Sequence, residues 1–402
     1  MTEIMIDAEG VIDFTRALVR IPSVNDPAHG RSEAPAAALV AETMRGFGWE
    51  PVITEPAPGR PNVVAVIEGG GGPGPVLMFE GHTDVVTEGT LDEWTRDPFG
   101  AEIVDGRLYG RGSADMKSGV AAMIFGARAL QLAGPFPGTI KVCALADEEG
   151  LMIGVHHLVD SGQVADVDGA IVCEPEAEEL CPSSKGAIRV LVEFDGRMAH
   201  GAMPDQGRNP LQPAAEFVRV LADVQESLQA EPGPHPLLGA SYLTPTVITG
   251  GDLDQINVIP ARATVAVDVR TVPGVDHDRL VDRLTGLAET LAAKAETAAT
   301  VTIGVNRPPV DTPLDDPVVT ALAAAHTMIT GADPVYGGVP GTTDGTILTA
   351  KAGIPTVVYG PGGKWIAHQA DEYVELDDIV RKTRVYAEAA RLFLIRNPTA
   401  SG

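Results

Sequence analysis

An imidazole and a carboxylate stand two residues apart in "GHTDVV", where the apolar run "PVLMF" (Pro75–Phe79) gives way to His82 and Asp84. In a strand such residues face the same side. A carboxylate can then hold one ring nitrogen of a histidine whose other nitrogen binds a metal; a polar strand end in solvent is the ordinary reading. Asp115 lies in the Gly-rich "YGRGSADMKSG", Glu148 and Glu149 in "ADEEG", Glu174 in "VCEP", His200 in "RMAHGAMPDQGRNP" and His368 in "GPGGKWIAHQADEYV". Each also has an ordinary reading. Asp115 suits a helix cap, the glutamate pair suits a first helical turn, and Glu174, His200 and His368 suit plain loops.

Taken together, two histidines and three carboxylates can hold a pair of metal ions. Zinc accepts both ligand types, and two metals ~3.5–4 Å apart need a bridging carboxylate. Neighbouring glutamates can then divide the labour, one on a metal and one as a base. His29, His156, His157, His235, His277 and His326 have no acidic partner at a strand end and read as ordinary; Cys173, beside Glu174, reads as core.

The elements that must position these groups alternate. "VVAVIEG", "PVLMFEGH", "IKVCALAD" and "GAIVCEP" are apolar runs of strand length, and "SGVAAMIFGARALQLAG" has helical spacing closed by glycine. Near-continuous apolar strands separated by helices predict an α/β fold with a mostly parallel sheet covered on both faces. Ligands bind beyond the carboxyl ends of such strands, where Asp84, Glu148, Glu149 and Glu174 fall. After Lys185 the texture changes. "GAIRVLVEFDGR" alternates, and strands and amphipathic helices through "TVTIGVNRP" predict an α+β unit with an antiparallel sheet. The first texture then resumes with the strand "IPTVVYGPG" and the helix "IVRKTRVYAEAARLFLIR". The expected organisation is a catalytic domain over 1–185 and 304–402, with a domain inserted at 186–303.

With 402 residues the chain is long for one core. A net charge of −26 argues against nucleic acid or an anionic membrane surface as partner, while a bound divalent metal still leaves room for an anionic small substrate. Three cysteines are too few for a disulfide framework, and no run reaches the ~20 apolar residues of a membrane span. With no visible signal peptide, a cytoplasmic protein is expected.

In motif order, the chain closely resembles the metallohydrolase family of acetylornithine deacetylases, succinyl-diaminopimelate desuccinylases, aminoacylases and glutamate-releasing carboxypeptidases. The resemblance spans nearly the whole chain. It rests on "GHTDVV", "WTRDPFGAEIVDGRLYGRGSADMKSG", "ADEEG", "CEP", "AHGAMPDQGRNP", "NVIPARATVAVDVRTVPG" and "GPGGKWIAHQADEYV". It implies two zinc ions, with cobalt or manganese as alternatives. His82, Asp115 and Glu174 would hold the first and Asp115, Glu149 and His368 the second, with Asp115 bridging. Asp84 would orient His82, and Glu148 would be the general base. From the insert, His200, Asn257 and Arg270 match substrate and transition-state contacts, and Gly360 and Gly362 match a loop near the substrate carboxylate. Thr87 departs from the family's usual proline but is not a ligand.

The resemblance further implies hydrolysis of the amide bond of an N-acyl amino acid with a free carboxylate. The alternatives are a dipeptidase or carboxypeptidase of the same family, or a binding protein that kept the fold and lost activity. In the resembling family, glutamate at the Glu174 position goes more often with deacylases. Many members form homodimers through the insert, as is expected here.

Overall fold

The computed structural model describes residues 4–395. It contains two compact units. The first comprises the described residues through Ser183, Thr312–Val339 and those from Thr343 onward; the second comprises Ser184–Asp311 and Pro340–Thr342.

The first unit is built on a central sheet. Its strands run in the order Val52–Ala57, Arg60–Glu68, Thr139–Leu145, Val76–His82, Gly169–Pro175, Thr356–Gly360 and Glu179–Ser184. The four from Thr139–Leu145 to Thr356–Gly360 are mutually parallel. Arg60–Glu68, read from the sequence as one more strand of this set, pairs antiparallel with Thr139–Leu145. Only a glycine-rich turn separates it from Val76–His82, too short for the crossover that a parallel neighbour needs.

Both faces of the sheet are covered, which is why its strands read as unbroken apolar runs. Leu77 and Phe79 pack with the helices Ala8–Val19, Ala34–Gly46, Ser118–Ala133 and Leu376–Leu394. Met78, between them, faces the opposite way, toward Ile153–Asp160 and Gly345–Ala352. All three cysteines are buried and unpaired. The last helix begins at Leu376, ahead of the apolar periodicity at Ile379, with Asp377 and Asp378 in its first turn, where carboxylates favour the helix dipole. Arg396, expected in this helix, lies outside the described residues.

The second unit has a four-stranded antiparallel sheet in the order Tyr242–Gly250, Arg262–Thr271, Gly186–Asp195 and Ala299–Arg307. Ile188, Val190, Val192 and Phe194 alternate onto one face, against Phe217 and Leu221 of the helix Leu211–Ala230 and Leu284 of His277–Lys294. The strand Ala299–Arg307 carries this unit past residue 303, where the sequence texture suggested its end. Its half-buried alternation continues to Arg307, so the texture at 304 is still that of the second sheet. Among the described residues no helix is long and apolar enough to cross a membrane.

Candidate metal centre

His82 is the last residue of its strand, and the side chain is 1% exposed. Its Nε2 lies 3.2 Å from Asp115 Oδ1 and 3.2 Å from Glu174 Oε1. Glu174 occupies the end of the adjacent parallel strand Gly169–Pro175. Asp115 sits in the segment that leads into the helix Ser118–Ala133, with φ −113° and ψ 95°, so its own backbone is not helical. It does not cap that helix. One carboxylate oxygen faces His82, and the other, Oδ2, lies 3.2 Å from His368 Nε2. His368 Nε2 is also 2.8 Å from Glu149 Oε1. The sequence motifs thereby converge on two groups able to hold a metal ion, His82–Asp115–Glu174 and Asp115–Glu149–His368, with Asp115 in both.

The electrostatics suit cations. Burial and the neighbouring Asp115 push the Glu174 carboxyl up to about 8. Hydrogen bonds to Asp115 and Glu149 raise His368 to about 10. Burial opposes a charged His82, but Glu174, Asp115 and Asp84 outweigh it and hold its pKa well above the usual value. The surrounding carboxylates favour positive charge at both imidazoles. A divalent ion in each group would supply that charge and leave each imidazole neutral, as ligation requires. Oxygen and nitrogen donors in this ratio fit zinc, manganese or cobalt.

Glu148 and Glu149 do not lie in a first helical turn. They occupy the turn between Leu145 and the helix that starts at Ile153. Both of their backbone N–H groups donate to the carboxylate of Asp84, at 3.2 and 3.1 Å. Asp84 relates to His82 differently from the strand argument. The strand ends at His82, and it is the backbone carbonyl of Asp84 that faces His82 Nδ1, at 3.0 Å, with the carboxylate at 3.5 Å. The Glu148 side chain is buried and belongs to neither ligand group. Burial holds its pKa well above the ordinary carboxylate range, opposed by His82 and reinforced by Glu174 and Glu149.

Gly360 ends its strand against the backbone of Cys173 and Glu174; a Cβ there would lie 2.3 Å from the Cys173 carbonyl oxygen and 2.5 Å from that of Glu174. Gly362, at φ +93°, donates its N–H to Asp378. In the second unit, His200 and Asn257 lie together. The exposed His200 pairs in register with Val258, and its Nδ1 accepts from Ala202 N–H at 3.0 Å. The Asn257 carbonyl accepts from Gly201 at 2.7 Å. Arg270, on Arg262–Thr271, donates from Nε to Asp268 at 2.9 Å.

The sequence reading passed over three buried groups beside the centre. Arg111 and Glu372 form an ion pair within motifs already singled out. Glu80, two residues before His82, is raised well above its usual pKa by burial and by Asp344 and Glu174. A charged residue inside the apolar run that ends in "FEGH" was the available signal.

Residues 78–392 match the family described as Peptidase family M20/M25/M40. A succinyl-diaminopimelate desuccinylase of Rhodospirillum centenum is 33% identical over 93% of this chain and 95% of its own. Among solved structures, an M20 family metallo-carboxypeptidase of Sulfolobus solfataricus superposes with a TM-score of 0.78 at 20% identity, covering 97% of this chain and 99% of its own. The Bacillus subtilis YXEP protein, described as a dinuclear metal binding peptidase, does so with 0.73 at 19%, over 96% and 98%. Matched over most of its length and by a relative this close, the chain belongs to Peptidase family M20/M25/M40.

Proposed function

We propose that this metal-dependent C–N hydrolase removes the acyl group from an N-acyl amino acid that carries a free carboxylate, using two metal ions. The observation that carries the reading is the division of Asp115, one oxygen toward His82 and the other toward His368. That is the disposition of a carboxylate bridging two ions. His82 and Glu174 complete one set, Glu149 and His368 the other. Bound there, the ions would polarise the amide carbonyl and acidify a water.

The chain's own residues handle the protons and the substrate. Glu148 takes the proton of the attacking water at its carboxylate and returns it to the departing amine nitrogen. Its burial raises its basicity above that of an ordinary carboxylate, which suits a group that must take up a proton. His200, exposed and ring-oriented by the Ala202 N–H, serves as a donor to the developing oxyanion. Arg270 keeps guanidinium N–H groups beyond the one given to Asp268, and these pair with the substrate carboxylate. Asn257, beside His200 in the second unit, is a further substrate contact in this reading, as are the backbone groups of Gly360 and Gly362 in the first.

Zinc is the ion in this reading, and a homodimer through the second unit, in the cytoplasm, is the form in which the enzyme works. The desuccinylase name of the relative supports acyl removal, as does glutamate at position 174. The test is hydrolysis of a panel of N-succinyl and N-acetyl amino acids beside dipeptides, with elemental analysis of the same preparation. The expected result is two metal equivalents and turnover of acyl amino acids well above dipeptides. Preference for dipeptides would move the enzyme to the peptidase side, and full activity without metal would end the reading.

A further inference from the structure

Arg111 and Glu372 are buried, 2% and 0% exposed, and their ion pair is 2.5 Å long. A buried ion pair is a weak source of stability, because desolvation offsets the attraction. What this pair touches suggests a different use. Arg111 spends its three nitrogens on two separate loops, one carrying Thr87 and one carrying both His368 and Glu372. Nη1 goes to Glu372, Nη2 donates to the His368 carbonyl at 3.1 Å, and Nε donates to the Thr87 carbonyl at 3.2 Å. Glu372 in turn accepts through Oε1 from the backbone N–H of Ala114 at 2.9 Å and of Asp115 at 3.0 Å.

The pair thus grips the main chain of Asp115 with one partner and that of His368 with the other. Asp115 and His368 stand on loops far apart in the sequence; the third member of their group, Glu149, sits in a turn, its amide held by Asp84. The separate ligands of the first group need no such device. His82 and Glu174 stand on adjacent parallel strands, whose ladder sets their spacing.

We propose that Arg111 and Glu372 are positioning residues for the second metal group: their ion pair fixes Asp115 relative to His368, and so sets the affinity of the Asp115–Glu149–His368 site more strongly than that of the His82–Asp115–Glu174 site, which shares only Asp115 with it. The inference rests on the two-metal reading. Neither side chain is a ligand; both act through the backbone of residues that are. Outer partners of ligands typically change metal affinity ~10–100-fold.

The test uses Glu372→Gln in the full chain. The amide oxygen can still accept from Ala114 and Asp115 and the size is unchanged, but the oxygen that accepts from Arg111 Nη1 becomes an NH2 donor, so the ion pair is broken. Wild type and variant, both stripped of metal, are titrated with Zn2+ alone against a chromophoric chelator and with Co2+ alone by visible absorption. Thermal unfolding of the metal-free forms is recorded in parallel. The expected result is two equivalents for wild type; for the variant, one equivalent weakened little and a second weakened ~10–100-fold. Arg111→Lys, which keeps the charge but cannot reach all three acceptors, should weaken the same site by less than Arg111→Ala.

Two tight equivalents in Glu372→Gln, with only a lower unfolding temperature, would overturn the proposal and leave the pair a structural brace. Equal weakening of both sites would overturn it too. If Glu372→Gln does not fold, Arg111→Lys carries the same comparison with the same overturning results. Fewer than two equivalents in wild type would instead refute the two-metal reading underneath.

Discussion

Replacing each of the two adjacent glutamates by glutamine should give opposite defects. Glu149 Oε1 lies 2.8 Å from His368 Nε2 inside a ligand group, whereas Glu148 belongs to no group and is buried nearby. Glutamine keeps the volume of either side chain but takes up no proton and ligates poorly. Glu148→Gln should therefore hold two metal equivalents and lose kcat. A positioned general base contributes ~10²–10⁴-fold, or ~3–5 kcal/mol of barrier at 1.36 kcal/mol per decade. KM should change little, since the lost interaction forms only as the proton moves. Glu149→Gln should retain one tight equivalent and lose activity in a way that excess metal restores in part. The assay pairs elemental analysis with steady-state kinetics on the best acyl amino acid, at several metal concentrations. Turnover by Glu148→Gln within a few-fold of wild type would refute the assignment, and so would loss of a metal equivalent from that variant.

Gly360→Ala would drive a Cβ to 2.3 Å from the Cys173 carbonyl and 2.5 Å from that of Glu174; a stability loss of ~1–3 kcal/mol is expected from such overpacking, with a weakened first metal, read by denaturant unfolding and metal titration. Phe217→Ala removes a fully buried ring that meets Phe194 at 6.0 Å between centroids, which should cost ~3–5 kcal/mol in denaturant unfolding. His277 is held neutral, its Nδ1 paired with Asn306 at 2.6 Å and its Nε2 with the Thr271 hydroxyl at 2.7 Å, and burial lowers its pKa below 6.5. Between that lowered value and 6.5 the unfolded chain binds the extra proton, so stability should rise with pH through this window and fall toward acid, by at most ~1.4 kcal/mol per pH unit for one proton. Unfolding followed from pH 4 to 8 checks it: His277→Gln should flatten that slope, and an unchanged slope would exclude His277 as its source.

That the candidate ligand side chains come together was legible from the motifs: His82 and Glu174 end apolar runs that parallel pairing brings to one edge, while Asp115 and His368 stand in loops and were picked out by the family resemblance. The antiparallel direction of Arg60–Glu68 was less so, since a strand's composition on a doubly covered sheet does not encode its direction; the shortness of the glycine turn did. The roles of Arg111 and Glu372 could not be read locally. They lie 261 residues apart, and each works on backbone groups of a ligand's loop rather than on the ligand's side chain. Composition marks an Arg in a Gly-rich loop and a Glu after "HQAD", but it is tertiary structure that decides whether they meet.

Asp84 stands beside His82, as the sequence suggested, but through a different atom. Side-chain alternation suggested a carboxylate beside His82, but alternation ends where the strand ends, at His82 itself. Beyond it the chain turns, the Asp84 carbonyl takes over the histidine, and the carboxylate is released to the Glu148 and Glu149 amides. Two N–H donors and His82 keep it ionised against its burial, with a pKa below the usual value. Adjacent glutamates in a strand would point to opposite faces, and in a helix would diverge by a fixed angle. Held in a turn by a buried anion, they can be aimed separately, Glu149 to His368 and Glu148 into the interior beside the ligand groups. The same aspartate therefore reaches the first group through its carbonyl and holds Glu148 and the second group through its carboxylate. Asp84→Asn should accordingly disturb Glu148 and Glu149 more than His82, because the carbonyl survives the substitution while one acceptor becomes a donor facing amide N–H groups.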